Sequence, residues 1–325
     1  MMKKGTMLAI ACLCCLLAKA QTVFVHTYDY AQKGEQTLRM DVYEQAPSGN
    51  MKRPVLIFSY GGAWEGGKRA DGKAILEHFA QKGYIAAGID YRLGVREAKE
   101  KGVKIDSLNF ASVYGKAIRM GMEDLFDATA YIISHADEWN ADTSRIVICG
   151  SSAGAINSIT AEYLLCNRHP MATRRLPETF NYAAVITCAG GIWLEKTPAL
   201  QWKRKPCPVI AYHGTRDELV PYGKHVIGNA AFTAFGPDAY LQEVKDMGVS
   251  TLFHRYEGHS HVIAGIYLHE GARKVPTAPR LPVPHAIPEP TAEHRHHGTA
   301  ARQRTGRENL RRHHTRDFEQ LKEPQ

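Results

Sequence analysis

Cysteine is scarce where it would matter. Of seven in 325 residues, Cys12, Cys14 and Cys15 fall in the first twenty, and Cys149, Cys166, Cys188 and Cys207 are widely spaced within apolar runs. That spacing excludes a disulfide framework and predicts four buried, small apolar side chains. Long apolar runs are missing too, since the leader's run from Met7 to Leu17 is well short of the roughly 20 residues that span a bilayer. Excess charge is absent from the middle of the chain. The formal net charge of +8 comes from three leader lysines and a net +5 in residues 271–325, while residues 21–270 carry 27 basic and 27 acidic side chains. The basic balance therefore gives no reason to expect nucleic acid as a partner.

What is present begins with "MMKKGTMLAIACLCCLLAKAQ", in which two lysines, the short apolar run and Ala18-Lys19-Ala20 form a signal-peptide pattern. It predicts residues 1–20 as a cleavable leader, a cut after Ala20 and a secreted or periplasmic protein. The run is too short for stable membrane insertion, and Cys12 sits too early in it for a lipoprotein site. The 44% hydrophobic content supports one large α/β domain or two small ones and excludes a fibrous or disordered chain.

From residue 21 to 270, apolar strands alternate with helical patterns, the signature of a mostly parallel sheet flanked by helices. Thr22 to Tyr30 and Thr37 to Tyr43 alternate in period two and predict an antiparallel edge pair. Six more strands are expected, in "PVLIFSY", "YIAAGIDY", "RIVICG", "AAVITCAG", "PVIAYHG" and "TLFHRYEG", giving eight in all. Helices are expected near Ala74 to Lys82, Ala111 to Trp139 and Ala155 to Cys166, after Pro221, and over "HVIAGIYLHE" up to Glu270. Beyond Gly271 the chain turns to Pro, Arg and His without apolar periodicity, which predicts a disordered basic tail over 271–325. Its "HRHH" and "RRHH" lack the spacing of a structural metal site.

The strongest chemical signal is Gly150-Ser151-Ser152-Ala153-Gly154, a G-x-S-x-G pattern between an apolar strand and a helix. A serine on such a turn projects its hydroxyl above the sheet, and flanking glycines are needed where a Cβ would strike neighbouring backbone. Register selects Ser152 over Ser151, and the Ala153 amide at the helix start points where an oxyanion would form. Second is "FSYGGAWEGGK", whose glycines at a strand end free amides to face a ligand; Gly62 and Ala63 are the expected donors, with Gly61 allowing the turn. Third is "AYHGTRDELVPY", where Asp217, with Glu218 as its rival, can accept the Nδ1 proton of an imidazole. Fourth is "RYEGHSHVIAG", in which either His259 or His261 can be the base. Ser152, Asp217 and a histidine follow in the order Ser, Asp, His, each after a strand.

These segments, with "LRMDVYEQ" and "GYIAAGIDYRL", resemble in order and content the secreted esterase/lipase branch of the α/β-hydrolases, and are similar to feruloyl and acetyl-xylan esterases. The resemblance implies an α/β-hydrolase fold and a serine carboxylic-ester hydrolase without metal or organic cofactor. Its substrates would be small-molecule or polysaccharide-linked esters; separately, the short stretch from Gln21 to Lys52, most of it used by the edge strands, leaves no helical cap and predicts an open site. Tyr60-Gly61-Gly62-Ala63-Trp64 stands where that family commonly has His-Gly-Gly-Gly-Trp, and Asp90-Tyr91-Arg92-Leu93 matches its "DYRL" as structural support. Its last motif, Tyr-x-Gly-x-Gly-His, laid on Tyr256 to His261, selects His261, as does Ser260 placed to cap a helix that begins there. The other classes that this pattern admits are a prolyl-oligopeptidase-like serine peptidase and a non-catalytic binding protein on a hydrolase scaffold.

Overall fold

A computed structural model describes residues 22–46, 49, 51–227, 232–266 and the strand 292–296. The leader 1–20, the end of the expected last helix and the rest of the 271–325 tail lie outside the described residues. In chain order the strands are β1 (Val23–Lys33), β2 (Gln36–Gln45), β3 (Arg53–Ser59), β4 (Ile85–Ile89), β5 (Ala141–Ser151), β6 (Ala184–Cys188), β7 (Ile192–Glu195), β8 (Val209–Gly214), β9 (Lys224–Ile227), β10 (Phe232–Phe235), β11 (Thr251–Tyr256) and β12 (Ala292–His296). The helices are α1 (Lys73–Ala80), α2 (Gly94–Glu100), α3 (Phe110–Ser134), α4 (Ala153–Cys166), α5 (Pro170–Thr173) and α6 (Pro237–Asp246).

The main sheet runs β1-β2-β4-β3-β5-β6-β8-β11-β12. β1 and β2 pair antiparallel and β2 joins β4 antiparallel, whereas every later neighbour is parallel. The period-two pattern of the first two strands is that of an edge with one wet face. The continuous apolar runs of β3, β4, the end of β5, β6 and β8 are those of strands covered on both faces. Eight strands were expected and all eight are in this sheet; β12 adds a ninth by pairing with β11.

α4 packs against β5, β6, β3 and α3, while α1 lies on β4 and β2. Nearly all of α4 is buried, polar positions included. Each of its core side chains Ile156, Ile159 and Leu165 contributes roughly 1.5–3 kcal/mol by leaving water. Cys149, Cys166, Cys188 and Cys207 are free and buried, as their apolar settings predicted.

Three expected elements differ. The segment after Pro221 is not helical: Lys224–Ile227 and Phe232–Phe235 are strands that form, with Ile192–Glu195, a second antiparallel sheet ordered β7-β10-β9. Its β-branched and aromatic residues suit a strand, and the helix starts only where Pro237 supplies a first-turn residue needing no amide partner. α3 ends at Ser134 and not Trp139, and the Trp139 ring turns back onto Tyr28 of β1 at 4.8 Å between centroids. The described part of the segment after Ser260 is a 3₁₀ turn, His261–Gly265, and the Ser260 side chain makes no capping bond.

Candidate active site

Four chain segments converge because the strands carrying them end at one edge of the sheet. Ser59 lies beside Gly150, Cys188 beside both Ser151 and Tyr212, and Gly214 beside Tyr256. The order of connection reverses between β3 and β5, and such a reversal leaves a crevice beyond the carboxyl ends of the strands. The loop after β3 and the turn after β5 face each other across it.

Ser152 sits at that turn with φ 50° and ψ −120°, a conformation that side-chain-bearing residues rarely adopt. Its amide donates to the Cys188 carbonyl at 2.8 Å. The flanking glycines are steric necessities: a Cβ on Gly150 would lie 2.2 Å from the Gly154 carbonyl oxygen, and one on Gly154 would lie 2.1 Å from that of Ser59. The Ser151 hydroxyl is turned away and donates to the Ala264 carbonyl at 2.5 Å.

From Ser152 a line of hydrogen bonds runs inward. Ser152 Oγ is 2.8 Å from His261 Nε2, and His261 Nδ1 is 2.8 Å from Asp217 Oδ2 and 3.0 Å from Oδ1. A carboxylate only accepts, so the imidazole proton belongs on Nδ1 and Nε2 is left to accept from the serine. The Asp217 side chain is fully buried. Its Oδ1 also accepts from the Leu219 and Val220 amides at 3.0 and 2.9 Å, which fixes the carboxylate plane. Glu218, the rival, is exposed. His259 points elsewhere: its Nδ1 bonds the Glu257 carbonyl at 2.9 Å, and its own carbonyl accepts from the Arg216 amide at 2.9 Å. The structure thus brings His261 to Ser152 and Asp217.

The loop after β3 runs against Ser152, with a Cβ on Gly61 placed 3.1 Å from Ser152 Cβ. The Gly62 carbonyl accepts from the Glu65 and Gly66 amides at 2.9 and 2.8 Å. The next two residues, Ala63 and Trp64, are left-handed, with φ of 53° and 56°. The amides of Gly62, Ala63 and Ala153 donate to no backbone carbonyl among the described residues. Ala153 begins α4, whose aligned peptide dipoles favour negative charge at that end. The "DYRL" segment braces this region: Tyr91 donates its hydroxyl to the Tyr60 carbonyl at 2.8 Å, and Arg92 bonds the buried Asp124 carboxylate.

Sequence reasoning overlooked His213 and Asn157 here, and gave Ser151 no role beyond that of the rejected nucleophile. His213, at the end of β8, lies 3.4 Å from Asp217 Oδ2 and 3.0 Å from the Val220 carbonyl. Burial pushes its pKa down against the pull of Asp217, so it stays neutral and donates Nε2–H to Val220. Ser151 ties the serine turn to the histidine turn, and Asn157 in α4 bonds Trp64. The available signal was spacing, since His213 precedes Asp217 by four residues and Asn157 follows Ala153 by four.

Two surface cavities lie away from this crevice. One of about 330 Å³ is lined by Phe24, Tyr28, Glu44, Arg53 and Trp139 among others. A second of about 460 Å³ is lined by Lys33, Arg92 and Lys116 among others. Among the described residues no three His, Cys, Asp or Glu side chains are grouped to hold a metal ion, and no helix is long and apolar enough to cross a membrane.

The same architecture is found in Thermogutta terrifontis esterase 2 phosphonylated by cyclosarin, which superposes with a TM-score of 0.52 over 75% of this chain and 84% of that one at 21% identity. The chain therefore has an α/β-hydrolase fold. The BD-FAE family model matches residues 40–196. The chain is similar to Esterase LipC of Mycobacterium tuberculosis, 27% identical over 231 residues that cover 61% of this chain and 53% of the relative. It is also similar to the fumonisin B1 esterase of Sphingopyxis macrogoltabida, 29% identical over 129 residues, or 38% of this chain and 22% of the relative. The chain thus spans about half or less of the length of these curated relatives.

Proposed function

We propose that this protein is a serine ester hydrolase with Ser152 as nucleophile, His261 as general base and Asp217 as the group that orients the base. The observation that carries this reading is the unbroken hydrogen-bonded line from Ser152 Oγ through both nitrogens of His261 to Asp217. His261 Nε2 takes the Ser152 proton as Oγ bonds to the ester carbonyl carbon, and the carbonyl π pair moves to oxygen. Amides of Gly62, Ala63 and Ala153 then receive the oxyanion. Collapse expels the alcohol, which His261 protonates, and a water deprotonated by the same nitrogen cleaves the acyl-enzyme. Asp217 stabilises the imidazolium throughout. Relatives named as esterases support carboxylic esters as the substrate class.

The alcohol side is proposed to be a plant polysaccharide bearing acetyl or feruloyl groups, and the protein to act outside the cytoplasm after cleavage behind Ala20. A fluorophosphonate probe tests the chemistry. It should label the native protein and Ser151→Ala but not Ser152→Ala, and p-nitrophenyl acetate hydrolysis should fall at least about 10³-fold in Ser152→Ala. Persistent labelling of Ser152→Ala would overturn the assignment. Acetylated xylan, methyl ferulate and a proline-containing peptide, assayed side by side, test the substrate; cleavage of the peptide alone would replace esterase with peptidase.

A further inference from the structure

A helix buried on all sides has to find a partner for each polar side chain it carries. In α4 the Ser158 hydroxyl returns to the Gly154 carbonyl, and Thr160 Oγ1 accepts from the Trp193 amide. Asn157 is different, because its partner belongs to the loop that faces Ser152. Fully buried, it accepts at Oδ1 from the Trp64 indole Nε1–H at 2.9 Å. An indole nitrogen only donates, so the chemistry fixes which end of the amide faces Trp64. Asn157 also lies four residues after Ala153, one helical turn away on the same face.

Trp64 is where the loop needs holding. It is buried, and with Ala63 it forms two successive left-handed residues, neither of them glycine. Such a pair persists only when its surroundings impose it. Four contacts do so, one of them the Trp193 ring at 6.4 Å between centroids. The Trp64 carbonyl accepts from the Val95 and Arg96 amides at the start of α2, the ring meets Tyr114 edge-on at 6.0 Å, and the indole N–H is held by Asn157. The Asn157 contact is the one that comes from the helix carrying Ser152 at its start.

We propose that Asn157 is a positioning residue: by holding the indole N–H of Trp64 it registers the Gly62 and Ala63 amides against Ser152. The inference rests on the ester-hydrolase reading above. Release of the indole lets Ala63 and Trp64 relax toward ordinary backbone angles, which turns the Gly62 and Ala63 amides out of line. Ser152 and His261 are untouched, because their bonds to Cys188 and Asp217, and the Ser151 bond to Ala264 that ties their two turns together, do not pass through this contact.

The test uses Trp64→Phe, which deletes the N–H and keeps a ring, together with Asn157→Leu and the double variant. For each, kcat and KM for p-nitrophenyl acetate are measured per titrated active site, along with affinity for an aryl trifluoromethyl ketone, whose serine adduct carries the same oxyanion. Each single change should lower kcat roughly 10- to 100-fold with KM little altered. Ketone affinity should fall in parallel, and the double variant should be no worse than the poorer single one. A merely structural role would lower the melting temperature and the number of active sites while leaving kcat per site intact. Trp64→Phe with kcat and ketone affinity within about twofold of the parent overturns the proposal, and that variant decides the matter if Asn157→Leu does not fold. A native protein that neither labels nor hydrolyses any ester overturns the parent reading instead.

Discussion

Replacing Asp217 by Asn alters one atom and tests the tautomer argument directly. In the native site Oδ1 accepts from the Leu219 and Val220 amides, and His261 Nδ1 faces both oxygens at 2.8 and 3.0 Å. Two backbone donors fix the orientation of an asparagine here, since its oxygen must stay on them and its NH₂ must take the Oδ2 position toward His261. Nδ1 must then accept, the ring proton moves to Nε2, and the lone pair that takes the Ser152 proton is lost. A serine hydrolase with the wrong tautomer loses about 10⁴ in kcat, or about 5.5 kcal/mol of transition-state stabilisation. The assay is p-nitrophenyl acetate hydrolysis at saturating substrate, with urea unfolding alongside to show that the fold is retained. A loss below about tenfold in folded protein would refute the assignment of Asp217 as the orienting group.

Other consequences can be checked separately. Gly154→Ala places a Cβ 2.1 Å from the Ser59 carbonyl oxygen and 2.4 Å from that of Tyr60; backbone on both sides cannot yield locally, so urea denaturation should show a loss of about 3 kcal/mol, and unchanged stability would contradict the packing described. Glu162 is fully buried in α4, and burial pushes its carboxyl pKa up against the opposing bonds from the Cys207 amide and Cys166. A raised folded-state pKa favours the protonated native protein, so its contribution is full below the ordinary glutamate value of about 4.3 and is lost as pH rises through the raised one. Glu162→Gln should therefore melt higher than the parent at pH 7 by a margin that shrinks toward pH 4, and a margin independent of pH would show that Glu162 titrates normally. His261→Ala should abolish ester hydrolysis while His259→Ala retains most of it; equal losses would mean that the two histidines are not distinguished by their hydrogen bonds.

Much of the frame was legible because its signals are local. Continuous apolar runs marked the strands covered on both faces, and alternation marked the edge pair. Gly150 and Gly154 advertised the turn that no Cβ could enter. What failed was local in a different way: Lys224–Ile227 and Phe232–Phe235 are too short for periodicity to declare them, and they become strands by pairing with each other and with Ile192–Glu195. The stop of α3 at Ser134 was hidden for a similar reason, because the attraction of Trp139 is to Tyr28, more than a hundred residues earlier in the chain.

By itself the sequence determined the order of strands and the types of residue at their ends: a serine between glycines, an acid, two histidines, and a glycine pair after the third strand. These follow from backbone sterics and side-chain polarity, which act over a few residues. Tertiary structure alone decided the partnerships. It joined Ser152 to His261 and His261 to Asp217, the residues already favoured over His259 and Glu218, turned Ser151 toward Ala264, and set Asn157 under Trp64, because each contact depends on which groups meet within about 3 Å across strands remote in sequence. Burial then sharpened those choices, since away from water a polar atom must bond the neighbour that the fold supplies.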